Sequence, residues 1–298
     1  MVRINITNNP KLAEKKIDEG NLCIMKFGPV YGIFCKDDMS SMQKLCSLKK
    51  RSETKTLVYV GSKDQLGVFL KDKRLARMRN VNDMSEFLRR LLAFGPVGIL
   101  LNIADQSTPL DLDIGMTDSE EKKVKTLGFM ISMENDDFNH VSMQHGGKLL
   151  RGTSANLSGK SQSGSGSDSL YDLISLFGNS ADVFFYVSEP LVKRYQDEKV
   201  LNGISTTIIH CSEVAEGTAI EIVREGSISK PLIMSTAGHF PSVITVGMGE
   251  RTAKISPYMR SPLELAKDKD IFDLLDALDN KINGHHGDKE LLQLDVIL

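Results

Sequence analysis

Arg151-Gly-Thr-Ser-Ala-Asn-Leu-Ser-Gly-Lys160 is the stretch on which the reading of this chain turns. It places the hydroxyls of Thr153, Ser154 and Ser158 and the amide of Asn156 close together. Gly152 and Gly159 bracket them and admit backbone turns closed to other residues. Before it, Lys148-Leu-Leu is a short apolar segment. After it, Ser161-Gln-Ser-Gly-Ser-Gly-Ser-Asp168 has the composition of a flexible loop. Composition alone makes such a cluster a helix cap or a turn. Its position after an apolar segment offers another reading, because open α/β sheets bind ligands in polar turns at strand ends.

The chain has 298 residues, room for one large domain or two smaller ones. Its apolar fraction of 41% and charged fraction of 26% are those of a soluble globular protein. A net charge of -2 excludes a molecule that is cationic as a whole, so any anion site is a local patch. No apolar run approaches the roughly 18 residues of a membrane-spanning helix. The N-terminus lacks the basic flank and apolar stretch of a secretory signal. Cys23, Cys35, Cys46 and Cys211 lie in apolar or mixed segments without CxxC spacing. They read as reduced core residues, with no metal site and a cytoplasmic location expected.

Strand and helix patterns alternate along the chain. Asn9-Pro10 with Leu12, Ala13, Ile17 and then Gly20 predicts a capped helix. Leu22-Cys-Ile-Met and Val30-Tyr-Gly-Ile-Phe-Cys35 read as strands about a Gly28-Pro29 turn. Asp37 or Asp38 caps a helix with Met39, Met42, Leu45 and Cys46 expected inward. Leu57–Val60, Val97–Leu101, Leu127–Ile131 and Val183–Val187 are further strands. Asp83–Leu92 is an amphipathic helix with Phe87, Leu88 and Leu91 inward, and Asp136–His145 and Leu170–Leu176 are shorter helices. Residues 104–125, polar and acidic, read as a loop. Ser205–Cys211 and Ala219–Arg224 read as an antiparallel pair. Beyond Pro231 come a strand at Ser242–Val246 and a helix at Asp270–Leu278. Short strand–turn–strand units mixed with helices argue for a mixed, twisted sheet rather than a purely parallel one.

Two more constellations carry charge or hydroxyls. Lys49, Lys50, Arg51 and Lys55 sit where a helix ends and a strand begins. Cations are favourable at a helix C-terminus without any ligand. The same residues suit a phosphate clamp, with lysine as a point charge and arginine as a bidentate fork. Asn202-Gly-Ile-Ser-Thr-Thr-Ile-Ile209 and Ile222-Val-Arg-Glu-Gly-Ser-Ile-Ser229 would each pass alone for part of a hairpin.

Taken in order, these elements resemble the YrdC family, which contains the threonylcarbamoyl-adenylate synthases. Thr153-Ser-Ala-Asn-Leu-Ser-Gly159 looks like the family signature. Leu48–Leu57 resembles its Leu-Lys-x-Arg-Pro-x-x-Lys-Pro-Leu element, with Ser52 and Thr56 in place of both prolines. The segments around Ser205 and Arg224 resemble its Gly-x-x-Ser-Thr-Val-Val strand and Leu-Arg-Pro-Gly-x-Ile turn, with Glu225 in place of proline. Gly95-Pro96-Val97 and Val30-Tyr-Gly-Ile33 with Cys35 add shorter matches. The resemblance runs from about residue 8 to 232.

It implies an α/β fold, a YrdC-like twisted mixed sheet flanked by helices, with residues 1–232 forming the nucleotide-binding domain. Residues 233–298 are a C-terminal extension, expected to close the cleft as a lid or to meet a partner. It further implies ATP and Mg²⁺, with Lys49 and Arg51 as catalytic residues at the phosphates. Lys49, Arg51, Lys55, Thr153, Ser154, Asn156, Ser205 and Arg224 would bind the nucleotide, and Phe27, Tyr31 and Met130 would stand on the acceptor side. The implied reaction is that of a nucleotidyltransferase. It joins bicarbonate, L-threonine and ATP into a carbamoyl-adenylate that feeds modification of an adenosine in tRNA.

The departures gather on the acceptor side. Lys26-Phe27-Gly28-Pro29 replaces Pro-Thr-Asp/Glu-Thr, Met130 replaces an arginine, and Val60 takes a position that is histidine in many members. They favour a different amine or carbamoyl donor as an alternative. The competing class is a non-catalytic nucleotide- or RNA-binding protein. Net charge and an aromatic fraction of 6% argue against RNA, and no membrane partner is expected.

Overall fold

The computed structural model describes residues 2–28, 30–50, 57–72, 74–105, 115–119, 122–133, 136–144, 148–155, 170–191, 193, 206–252, 268–284 and 291–296. Short apolar runs make most of the strands, as at Leu22–Phe27 and Val183–Tyr186, whose residues are buried on both sides of the sheet. The N-terminal strands are β1 (Val2–Thr7), β2 (Leu22–Phe27), β3 (Val30–Lys36) and β4 (Val58–Gly61). They are followed by β5 (Val97–Asn102), β6 (Gly115–Ser119), β7 (Lys122–Ile131) and β8 (Leu150–Ser154). The last are β9 (Val183–Tyr186), β10 (Thr207–Val214), β11 (Gly217–Glu225), β12 (Val243–Thr252) and β13 (Leu292–Val296). All described strands join one sheet in the order β12-β11-β10-β5-β7-β4-β8-β3-β2-β9-β1-β13, with β6 paired to β7. Parallel and antiparallel neighbours mix, as the short strand–turn–strand units predict.

The helices are α1 (Pro10–Asp18), α2 (Met39–Leu48), α3 (Leu66–Leu70), α4 (Val81–Leu91), α5 (Asp137–Gln144), α6 (Leu170–Phe177), α7 (Lys230–Ala237) and α8 (Asp268–Gly284). Their starts follow the capping residues. Asn9 accepts the backbone N–H groups of Lys11 and Leu12, and Pro10 opens α1. Asp38, not Asp37, caps α2 through Ser41 N at 2.8 Å.

The helices divide unequally between the two faces. On one face, α2, α6 and α8 cover Ile24, Ile33 and Cys35, while α3, α4 and α7 cover Phe129, Ile99 and Ile222. On the other, Ala13 and Ile17 of α1 and Phe138 and Val141 of α5 pack on the β2–β3 end alone. The centre of that second face, around Val58, Leu100, Met130 and Ile208, stays half-buried.

This second face is concave. β2 and β5 are five strand spacings apart, about 24 Å on a flat sheet. Yet a Cβ placed on Gly28 would lie 2.7 Å from Pro96 Cγ, just ahead of β5. The sheet therefore curls until the tip of the β2–β3 hairpin meets the start of β5. Gly28 has φ of 59°, and only glycine combines that backbone with such an approach.

Two described segments after residue 232 are woven into this sheet. β12 pairs in parallel with β11, and β13 pairs antiparallel with β1. Asp279 of α8 accepts Leu191 N at 2.7 Å.

Three expectations change. Residues 115–119 and 122–126 form a polar hairpin instead of a loop, because cross-strand hydrogen bonding does not require an apolar stripe. Met39, at the first turn of α2, is 55% exposed; its side chain falls outside the arc of Met42, Leu45 and Cys46. The opening stretch is not a turn after a strand, since Arg151–Ser154 are themselves strand β8. The four cysteines are free and buried, and burial pushes the thiols of Cys23, Cys35 and Cys211 up, the last to about 12.

Candidate functional site

β8 is central to the site because it lies between β3 and β4. Gly32 pairs with Ser154, Phe34 with Gly152 and Cys35 with Arg151 on one side; Val58 pairs with Gly152 and Tyr59 with Arg151 on the other. Paired residues share a face. Ser154 therefore stands on the concave face beside Gly32, with its side chain exposed. Ala155 N extends the ladder to Tyr31 O at 2.8 Å.

Helix α2 is tied to β8 at both ends. At its C-terminus the ammonium of Lys49 donates to the carbonyl of Ser154. Lys49 is only 2% exposed, so its stem lies buried and its charge is delivered to the end of β8. Just ahead of the N-terminus, Asp37 Oδ1 accepts Arg151 Nε at 2.7 Å. Lys50 closes the helix with φ of 49° and turns the chain toward residues 51–56.

Arg151 itself was missed in the sequence, where it passes for the first residue of a turn. It is fully buried, donates to Leu57 O at 3.2 Å, and lies over the Tyr59 ring at 3.3 Å from its centroid. It fills the seam between the two apolar clusters of the covered face, next to Cys35 on one strand and Tyr59 on the other. Tyr59 is held in turn by Arg74, whose Nη2 donates to its hydroxyl at 2.7 Å. No local pattern gives the partner of a buried arginine; the one hint is a charge directly after Leu149-Leu150.

Across the concave face, β11 carries Arg224. A bulge between Ile208 and Ile209 sets Arg224 opposite Ile208. Its Nε and Nη2 both donate to Thr206 O, at 3.1 and 2.8 Å. Burial pushes the guanidinium below its usual pKa, and among the described residues it meets no acid at ion-pair distance. The turn after it is shaped by Thr207, whose hydroxyl accepts Gly226 N and Ile228 N and donates to Ile228 O.

The structure thus joins Lys49 to Ser154, with Thr153 as the half-buried neighbour. It sets Arg224 on a separate strand, with β4, β7, β5 and β10 between. Arg51, Lys55, Asn156 and Ser205 lie outside the described residues, as does Pro29. Phe27 is buried in an aromatic group with Phe34 and Phe138, at centroid distances of 6.0 and 5.4 Å. Met130 is half-buried on the same face, its sulfur against Gly98. Tyr31 is not with them: pairing with Lys26 turns its side chain to the other face, into the core with Ile33 and Met42.

Two adjacent acids fasten the end of β2. Asp136 Oδ1 caps α5 through Asn139 N at 2.8 Å, and its Oδ2 accepts Gly28 N at 3.0 Å. Asp137 accepts Lys26 N and Ser188 N. Burial, opposed by the backbone N–H bonds, pushes the Asp136 carboxyl up to about 7. The unfolded chain releases that proton in the ordinary carboxylate range, so native stability falls as pH rises from there toward 7. At its steepest the fall is about 1.4 kcal/mol per pH unit. Asp136→Asn is expected to flatten this slope; urea unfolding at pH 5, 6 and 7 checks it, and an unchanged slope would refute it.

Among the described residues no three His, Cys, Asp or Glu side chains group as a metal-ligand set. No helix among them is long and apolar enough to cross a membrane.

The family model of the Sua5/YciO/YrdC proteins, described as telomere recombination, matches residues 15–226, well over half of the chain. No curated protein sequence matches it. Among solved structures, P. abyssi Sua5 complexed with L-threonine is 16% identical with a TM-score of 0.53. That match covers 82% of this chain and 62% of Sua5, so the chain spans less than two thirds of that protein. E. coli YciO is 15% identical with a TM-score of 0.50, covering 77% of this chain and 97% of YciO. T. kodakarensis HypF is 14% identical with a TM-score of 0.50, covering 78% of this chain and 27% of HypF. At such identities the likeness is one of fold, a twisted mixed sheet flanked by helices, and with the family match it places the chain: it belongs to the Sua5/YciO/YrdC family.

Proposed function

We propose that this chain binds ATP on the concave face of its sheet and uses it to form a carbamoyl-adenylate. The observation that carries the reading is the meeting of Lys49 with Ser154, which joins the basic element to the Thr153-Ser-Ala-Asn stretch. The ammonium donates to the Ser154 carbonyl, which sets a positive charge at the end of β8. It stands where a phosphate could be gripped between a buried cation and a strand end. Arg51 and Lys55 follow in the same element. Arg224, desolvated and without an acidic partner among the described residues, would contribute from the opposite flank, with Asn156 and Ser205 completing the nucleotide contacts.

In the proposed reaction a carbamate oxygen attacks the α-phosphorus in line. The bond between the α-phosphorus and the bridging oxygen breaks, and pyrophosphate leaves. No covalent enzyme intermediate is needed. The protein would act by positioning both reactants and by holding fixed positive charge against the phosphates. Mg²⁺ enters as the counter-ion of the substrate, Mg·ATP.

The acceptor has two readings. The L-threonine bound by P. abyssi Sua5 favours threonine as the amine. Phe27 and Met130, apolar where the family is polar, favour a different amine or carbamoyl donor. The test incubates purified protein with Mg·ATP, bicarbonate and one amine at a time, and follows pyrophosphate. Release with threonine alone supports the first, and release with another amine the second. ATP binding without release on any amine would leave a non-catalytic nucleotide-binding protein.

A further inference from the structure

Resting on that reading of the cleft, we propose that Phe34 sets acceptor specificity: its ring closes the cleft beside Ser154 and shuts out L-threonine. The register puts Gly32, Phe34, Gly152 and Ser154 on one face of adjacent strands. A Cβ on Gly32 would lie 2.3 Å from Phe34 Cζ, and one on Gly152 2.7 Å from Phe34 Cδ1. The ring therefore lies down across both glycines, its tip over the cross-strand neighbour of Ser154. It is held there by Phe138 at 4.9 Å between centroids and by Phe27. Phe34 is 2% exposed, so the space is filled and not merely lined.

Among the described residues the same end of the cleft offers an amino acid few polar partners besides Ser154. Its neighbours on this face are Phe27, Val60 and Met130. The nearest acids are committed to the backbone: Asp136 to Gly28 N and Asn139 N, Asp137 to Lys26 N and Ser188 N. Away from Ser154 the hydroxyl of threonine would meet no described polar side chain there, and sites that leave polar groups unpaired discriminate strongly. The acceptor this geometry admits is small and carries no polar side chain.

The experiment compares wild type with Phe34→Ala and Phe34→Leu, the second keeping most of the volume in case the first does not fold. L-threonine and its near-isostere L-valine are each titrated calorimetrically in the presence of Mg·ATP. Wild type is expected to bind neither at 10 mM, an amino-acid excess chosen to expose affinities of about 10⁻² M. A variant with Phe34 shortened is expected to gain valine binding by at least about tenfold, with threonine lagging because its hydroxyl finds no partner. Threonine binding to wild type at millimolar affinity or tighter, or an unchanged amino-acid profile in both variants, overturns the proposal. ATP binding is read separately in the same samples. Its absence would defeat the nucleotide reading, whereas the amino-acid profile tests Phe34.

Discussion

Arg151→Ala is expected to lower stability by about 3–5 kcal/mol, among the largest single losses available to this chain. The change removes a fully buried side chain from the seam between two apolar clusters, and large-to-small substitutions in a core cost about 2–5 kcal/mol. It also leaves the Leu57 carbonyl without that donor, a further cost of about 1–3 kcal/mol where no water reaches it. Asp37 contributes less, because it is 39% exposed and water can take over its charge. Arg151→Lys should recover only part of the loss. An ammonium has no planar fork with which to stand over the Tyr59 ring while donating to both Asp37 and Leu57 O. Urea unfolding at pH 7 measures both. A midpoint shift for Arg151→Ala equivalent to less than about 1 kcal/mol would mean that the seam repacks without the guanidinium.

The second large effect concerns the cleft. Lys49→Met keeps the buried stem and removes the ammonium. Under the proposed function it should weaken Mg·ATP binding by about 1.5–3 kcal/mol, the range for a charged hydrogen bond, or roughly 10- to 150-fold. Stability should fall much less, since a methionine of similar length fills the same channel. Calorimetric titration with ATP, alongside a urea curve, separates the two. An unchanged ATP affinity with a lowered urea midpoint would make Lys49 a tie between α2 and β8 and nothing more. Arg224 would then be the described cation left among the proposed nucleotide contacts.

The helix starts and the apolar strands were legible because each rests on neighbours in sequence. Asn9 and Pro10 open α1 through local backbone groups, and the alternation in β2 and β3 decides which residues enter which core. The basic element and the Thr153-Ser-Ala-Asn stretch could be set together only through their resemblance to family motifs, and among the described residues they meet where Lys49 donates to the Ser154 carbonyl. What could not be read was anything set by pairing between distant segments. Tyr31 and Phe34 look alike in a strand of mixed aromatics, yet they point to opposite faces, Tyr31 into the core under α2 and Phe34 into the cluster with Phe27 and Phe138. Arg151 looks like a turn residue until β3 and β4 are known to flank it. The hairpin of β6 with the start of β7 escaped because the sequence from Thr117 to Thr126 is polar and charged apart from Val124 and shows no apolar stripe.

The place of β8 also has a consequence in time. The strand is inserted between β3 and β4, whose residues precede it by about ninety positions or more. Closing loops of that length costs entropy before any contact returns it, and topologies of this kind fold slowly. Short-range pieces such as the β2–β3 hairpin and the β10–β11 pair can form early. The junction of Lys49 with Ser154 cannot exist until β8 has docked. Under the proposed function, recovery of nucleotide binding during refolding should therefore follow the slowest phase of sheet formation and give a direct clock for it.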